Sequence, residues 1–317
     1  WVMPKPDGPI TPWRRHLYAR VPLAQRVARQ RIYWTRELLA LGFVVEPRMM
    51  RLGERLGRRY LARNVADPAL RDKLTPRYTM GCKRVLPTND YLPALQRPNV
   101  ELVTDGIAEV RARSIVSGDG RERPVDAIVL ATGFEAAEQV APFEVRGRAG
   151  RDLDEQWRDG AEAYLGSTVA GFPNLFLLVG PNTGLGHSSM VFMIESQVAY
   201  VMDALAKMRR RGWDAVELRP EAQARYNARV QERLKDTVWS SGCMSWYLTR
   251  TGKNTTIWPG FTFEFRRLTR RFDEGAYAIT PRARATGATA SRREPPQMAS
   301  VAQAPESTTS SRSLTFT

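Results

Sequence analysis

"VDAIVLATGFE", residues 125–135, is the stretch on which the reading of this chain turns. Residues 127–130 form a short apolar run with the pattern of a strand, and it stops abruptly in Ala131-Thr132-Gly133-Phe134. A strand that ends in small residues and a glycine lets a flat or phosphorylated ligand lie against the backbone, because glycine adds no Cβ and accepts unusual φ. Two questions follow. One is which ligand this turn serves; the other is why no G-x-G-x-x-G loop precedes it anywhere upstream.

Outward from this stretch the texture changes twice. Upstream, "NVELVT" (99–104), "IAEVRA" (107–112) and "SIVS" (114–117) read as strands, with a Gly-Asp-Gly turn at 118–120. Further back, residues 13–65 read as helices. Leu17, Val21, Val27, Leu38, Leu41, Leu52, Leu56 and Leu61 recur there at three-and-four spacing between arginines, punctuated by Pro22 and Pro47. Downstream, residues 175–179 of "FPNLFLLVGPNTGLGHSS" read as a buried strand feeding a polar glycine loop. The periodic "MVFMIESQVAYVMDALAKMRRRG" then predicts a helix that stops near Gly212, and residues 220–236 predict another. The aromatic-rich stretch 239–268 reads as a folded loop. From about residue 278 the chain has almost no large apolar residues, so residues 278–317 are expected to be a disordered tail that cannot offset its ordering entropy.

Composition bounds the function classes. A chain of 317 residues allows about two domains. The net charge is +15, and the first 80 residues hold 17 Lys/Arg against 6 Asp/Glu. Such a balance is compatible with a basic nucleic-acid-binding protein, which stands as an alternative from another class. However, only 6 of the 48 basic residues are lysine, and the arginines are spread through helical patterns rather than gathered with aromatics, which favours solvated helix faces. Cysteine is limited to Cys82 and Cys243, so neither a disulfide framework nor a zinc site is expected, and a reduced, cytoplasmic setting is the default. No apolar run reaches the roughly 20 residues of a membrane span. The opening "WVMPKPDGPI" has neither an initiator methionine nor a signal pattern and reads as cut rather than started.

Two stretches offer chemistry. In "GPNTGLGHSS" a predicted strand feeds a glycine loop and then a helix, the layout of an anion or dinucleotide site, where free backbone amides and the helix dipole face the ligand. Gly184-Leu185-Gly186 approximates a dinucleotide fingerprint without its third glycine, while His187, Ser188 and Ser189 add donors at the helix start. The plainer reading is an N-cap in which the serines satisfy first-turn amides. Lys83-Arg84, after Gly81-Cys82, places two adjacent cations on different sides of the chain, one free to hold a phosphate, with surface basicity as the plainer reading. No G-x-S-x-G, H-E-x-x-H or P-loop is present, and a histidine-centred triad would have only His16 or His187 to use.

The order of these segments is more specific than any one of them. "YTMGCKRVLPTNDYLPAL", "VDAIVLATGFE", "GFPNLFLLVGPNTGLGHSSMVFMIE" and "MSWYLTRTGKNTTIWPGF" resemble, over roughly residues 1–275, the C-terminal half of class B flavoprotein monooxygenases of the Baeyer–Villiger type. The resemblance implies an α/β fold, part of a pair of Rossmann-like FAD- and NADPH-binding domains with a helical insertion at about 13–75. Residues 1–130 would finish the NADPH domain and 131–277 the FAD domain. In that family NADPH reduces FAD, and a peroxyflavin formed with O2 inserts oxygen into a ketone or oxidises a heteroatom. By residue match, Arg84 would stabilise the peroxyflavin, and Lys83 would hold the NADPH 2′-phosphate. Ala131, Thr132, Gly133 and Phe134 would form the turn between domains. Gly186, His187, Ser188, Ser189 and Met190 would lie by the flavin, and Trp246 would line the nicotinamide and substrate region. Leu92 departs from the family, where many relatives carry a second aromatic. The family's glycine loops for FAD and NADPH are absent from this sequence, which makes a truncated form, an inactive remnant or a split-enzyme subunit the expected variants. Severed sheet edges would make the chain poorly soluble.

Overall fold

A computed structural model describes residues 1–6, 8–133, 137 and 143–283. The arginine-rich first quarter is helical, as its periodicity requires. It forms α1 (Pro12–Arg20), α2 (Pro22–Ala40), α3 (Met50–Asn64) and α4 (Pro68–Leu74). Proline opens α1, α2 and α4, where its missing N–H costs nothing and its fixed φ suits the first turn. Asp67 caps α4 by accepting from the amides of Ala69 and Leu70. Between α2 and α3 the chain widens into a π-turn at Leu41–Val45, which drives Phe43 into the interior.

Short strands follow. β1 (Val2–Met3) pairs in parallel with β2 (Leu86–Pro87), and α5 (Tyr91–Ala94) comes next. β3 (Ile107–Val110), β4 (Ser114–Ser117) and β5 (Glu122–Pro124) make an antiparallel sheet in that order, turned at 118–120 as expected. After the short α6 (Leu153–Gln156) come α7 (Met190–Arg211), β6 (Trp213–Leu218), α8 (Pro220–Leu234), α9 (Thr262–Leu268) and β7 (Tyr277–Pro281), which pairs antiparallel with β6. Gly212 ends α7 in the left-handed region at φ 65°, its amide bonded to Met208 O. One core gathers Phe43, Met80, Met193, Val230, Trp239, Tyr247, Trp258 and Phe265. A second lies under β6 and β7 around Tyr200, Trp213, Phe272 and Tyr277. Residues 1–282 form one compact unit.

Three expected strands do not form. Residues 125–131 join no ladder, and Val129 and Leu130 stand 87% and 82% exposed. An apolar strand of this kind is stable only with sheet neighbours on its edges and helices on its faces, and none of the described residues supplies them. Residues 175–179 are irregular, since Asn174 and Val179 adopt φ of 59° and 58°, outside the extended region. The amide of Val179 donates to the side-chain oxygen of Gln197 on α7 instead of a neighbouring strand. Residues 99–104 also lack strand pairing. Conversely, residues 277–281, mostly assigned to the tail, form β7 because Tyr277 packs into the second core and bonds Thr168 and Tyr200 through its hydroxyl. Residues 284–317 lie outside the described residues.

Phe265 is fully buried against the Trp258 ring at 5.3 Å. Phe265→Ala is expected to cost about 3–5 kcal/mol in urea unfolding followed by circular dichroism. Val129→Ser, in the unpaired segment, is expected to stay within about 0.5 kcal/mol of the wild-type chain. A large loss at Val129 would show that the segment is buried after all.

Candidate active site

The site begins at Phe43. Its ring lies so close to Gly81 that a Cβ there would sit 2.9 Å away, and a Cβ on Gly186 would sit 3.1 Å away. Both glycines are therefore required for contact, and Gly81 is also in the left-handed region at φ 96°. The helical insertion thus clamps two predicted site loops together, the one that carries Lys83-Arg84 and the one that carries His187.

The first loop is fixed on its other side by Met80, whose amide donates to Glu54 of α3. Lys83 and Arg84 are exposed, and neither forms an ion pair with an acidic group among the described residues. Lys83 Nζ lies 5.1 Å over the Tyr78 ring, and the Arg84 charge acts on the Tyr247 phenol. Burial pushes the Tyr247 phenol up, and the Arg84 charge opposes that shift. Arg84 also lines a cavity of about 710 Å³ with Trp1, Arg58, Lys73, Tyr78 and Tyr91.

The second loop is stitched to residues 254–258. The amides of Asn182 and Gly184 donate to Thr255 O and Thr256 O, and the Asn182 side chain donates to Asn254 O and Ile257 O. Gly184-Leu185-Gly186 therefore spends its first amide on structure. Beyond it His187 is buried, its Nε2 3.7 Å from Glu37 Oε1 of α2, ion-pair range but too long for a hydrogen bond. Neither ring nitrogen has a hydrogen-bond partner. The Glu37 carboxylate accepts from both the amide and the hydroxyl of Thr262, at 3.0 and 2.6 Å. Burial works to raise the Glu37 carboxyl, and His187 and Thr262 outweigh it, so it is held below its ordinary value. Ser189 is the N-cap of α7 yet makes no side-chain cap; its carbonyl accepts from the Phe192 amide. Met190 packs against the first core.

The third loop brings in Trp246, 44% exposed, its ring 4.3 Å from that of Tyr247. Arg84, His187 and Trp246 thus belong to loops packed on one core. The turn residues do not join them: no hydrogen bond links Ala131, Thr132 or Gly133 to the other candidates among the described residues, and Phe134 lies outside those residues. The sequence predicts no disulfide framework, and a single bridge forms nonetheless. Cys82 and Cys243, 161 residues apart with Cα atoms 6.3 Å apart, form a disulfide between the Arg84 loop and the Trp246 loop. Two cysteines are too few for a framework, but a single bridge needs only the tertiary proximity that a sequence does not display. Glu37, Phe43 and Tyr247 were missed as well. The spacing of Tyr33, Glu37, Ala40 and Val44 along one helical face was the available signal for Glu37.

The chain is 51% identical over 282 residues to a Baeyer–Villiger monooxygenase of Pseudomonas aeruginosa, covering 88% of this chain and 54% of the relative. It is 46% identical to another of Streptomyces coelicolor, again covering 54% of the relative. The chain is homologous to part of the Baeyer–Villiger monooxygenases. It spans about half the length of these relatives. Among solved structures, an oxidized steroid monooxygenase bound to NADP superposes with a TM-score of 0.68 at 30% identity, over 80% of this chain and 51% of that one. A closed cyclohexanone monooxygenase gives 0.72 at 23% identity, over 89% and 61%, which supports the α/β fold alone. No protein-family model matches the chain. Among the described residues no helix is long and apolar enough to cross a membrane.

Removing Glu37 leaves the amide and hydroxyl of Thr262 buried without their acceptor, so Glu37→Ala is expected to lose about 1–3 kcal/mol at pH 7. Because the folded carboxyl is lowered, its ionisation stabilises the fold fully above the ordinary value of 4.5 and that contribution is lost as pH falls further. The gap between wild type and Glu37→Gln is therefore expected to narrow in acid unfolding below that pH. A gap that widened instead would mean Glu37 is protonated in the folded chain.

Proposed function

We propose that this chain supplies the C-terminal half of a flavin-dependent monooxygenase of Baeyer–Villiger type, with residues 1–130 completing an NADPH-binding domain and residues 131–277 an FAD-binding domain. The observation that carries this is Arg84, without an acidic partner among the described residues, on a loop clamped by Phe43 and near enough to Tyr247 for its charge to oppose the upward shift of that phenol. A nearby cation is what oxygen insertion needs, since negative charge develops on the attacking oxygen and preorganised positive charge is the main contribution a protein can make.

The residues present fit one end of each cofactor. Among the described residues the His187 ring nitrogens are buried without hydrogen-bond partners, and the Ser189 side chain does not cap the α7 N-terminus, both suited to the electron-rich edge of a flavin ring. FAD and NADPH, when bound, would supply the reducing power and the activated oxygen. Gly186, His187, Ser188, Ser189 and Met190 would face the flavin, and Ala131, Thr132, Gly133 and Phe134 would pass beside it. Lys83 would hold the NADPH 2′-phosphate as a point charge. Arg84 would orient the nicotinamide and hold negative charge at the oxygen being transferred. Trp246 would wall the pocket for a ketone or a substrate with an oxidisable heteroatom. The G-x-G-x-x-G loops that grip the pyrophosphates have no counterpart in this sequence, so the reading includes a need for the half that carries them. A cytoplasmic setting with NADPH at hand accords with it.

The test is to titrate FAD into the chain, alone and co-expressed with the first half of the P. aeruginosa relative, following flavin absorbance and then NADPH-dependent bleaching. Binding and bleaching in the complemented sample are expected. Arg84→Ala should keep flavin binding and lose ketone-dependent NADPH and O2 consumption. Lys83→Ala should raise the KM for NADPH by about tenfold or more, the worth of one charge-assisted hydrogen bond, and leave that for NADH nearly unchanged. Failure of the complemented sample to bind flavin would favour an inactive remnant.

A further inference from the structure

The disulfide joins the two loops of the site from opposite ends of the chain, and its surroundings differ on the two sides. Cys82 is fully buried, while Cys243 is half-buried and lines a cavity of about 510 Å³ with Gln231, Lys235, Trp239, Met244 and Leu248. The loop that follows Cys243 is built to move. Gly242 and Gly252 bracket it, with φ of 88° and 84° and open space around each. Several of its hydrogen bonds are local: Tyr247 N and Leu248 N donate to Oγ and O of Ser245, and Gly252 N donates to Thr249 O. Among the described residues, the bonds that tie residues 242–247 to distant segments are the disulfide and the contact of Cys82 Sγ with Cys243 O. The buried ring of Tyr247 is the remaining anchor, while Met244 is 89% exposed.

We propose that Cys82–Cys243 is a reversible thiol–disulfide clasp that ties the loop carrying Trp246 to the loop carrying Arg84. Lys83 and Arg84 follow Cys82 directly and Trp246 lies three residues after Cys243, so one covalent bond links the stretch that carries the cations to the stretch that carries the indole. A small thiol of the glutathione class opens it. Its thiolate attacks the accessible Cys243 Sγ, the protein S–S bond breaks, and Cys82 leaves as a thiolate that takes up a proton. A second thiolate attacks the mixed disulfide, releasing the Cys243 thiolate to be protonated and the small disulfide RSSR. In sum two RSH become RSSR, and the protein gains two electrons and two protons. The small disulfide closes the clasp by the reverse steps. Both cores lie outside the looped segment except at Tyr247, so the opened form keeps its fold. The inference rests on the geometry of the two loops and not on the flavin reading.

The test uses the full chain without cofactor. The protein is equilibrated in buffers of varied glutathione to glutathione disulfide ratio, quenched with an alkylating reagent and weighed intact. A parallel sample is exposed briefly to trypsin, which cuts at Arg250 within the loop. The expected result is a two-state titration between no and two alkylated thiols, unchanged far-UV circular dichroism, and cleavage after Arg250 faster on the order of tenfold in the reduced form, as local opening becomes easier. Cys243→Ser should cut at the fast rate in every buffer. Should that variant fail to fold, reduced and alkylated wild type serves the same purpose. Two thiols alkylated in every buffer would overturn the proposal. So would a bridge that forms but leaves cleavage unchanged, or one whose reduction unfolds the chain.

Discussion

The Glu37 carboxylate is the constraint on which the rest of the site depends. It is buried, accepts two hydrogen bonds from Thr262 at the start of α9, and faces His187 from the end of α2. A carboxylate in such a place is tolerated only with its partners in position, because an uncompensated buried charge costs several kcal/mol. Three segments far apart in sequence must therefore converge at one point. The π-turn that begins one residue after α2 then delivers Phe43 into the space between Gly81 and Gly186. The helical insertion is in this sense a part of the site, although it contributes no polar group to the chemistry proposed for it.

Positive charge is abundant in this chain and mostly has no structural role. The ion pairs at Arg29, Arg158 and Lys235 lie at the surface, where each is worth little after screening and side-chain ordering. Lys83 and Arg84 differ in setting, not in exposure. Their loop is held by Met80, by Phe43 and by the disulfide, so their backbone positions are determined while no carboxylate among the described residues neutralises their charges. A cation that the fold positions but does not neutralise is available to a ligand. The net charge of +15 is otherwise a property of solvated helix faces.

The parts of the fold that could be read from residues were those governed by local rules. Proline at the start of α1, α2 and α4, the three-and-four spacing of their apolar residues, and Gly212 at the end of α7 are decided within a few residues of each position. The segments 125–131 and 175–179 were misread because an apolar run shows what a strand would bury and not whether a neighbour is there to pair with it. In the second of these, Gln197 takes the Val179 amide that a ladder would otherwise use. The site shows the same division. Arg84, Lys83, His187 and Trp246 stand in stretches quoted from the sequence, whereas Glu37, Phe43 and Tyr247 entered only through their contacts.

The sequence by itself determined the helices, their ends, the candidate cations and the homology to half of a larger enzyme, because capping, periodicity and motif order are carried by residues close together in the chain. The tertiary structure alone decided which loops meet. It placed a carboxylate from α2 against His187, passed Phe43 between two glycines, and brought Cys82 to Cys243 across 161 residues. Each of these depends on distances that close only after the core has packed, since burial drives the chain together without regard to separation along it and specific polar, aromatic and sulfur contacts then select the arrangement.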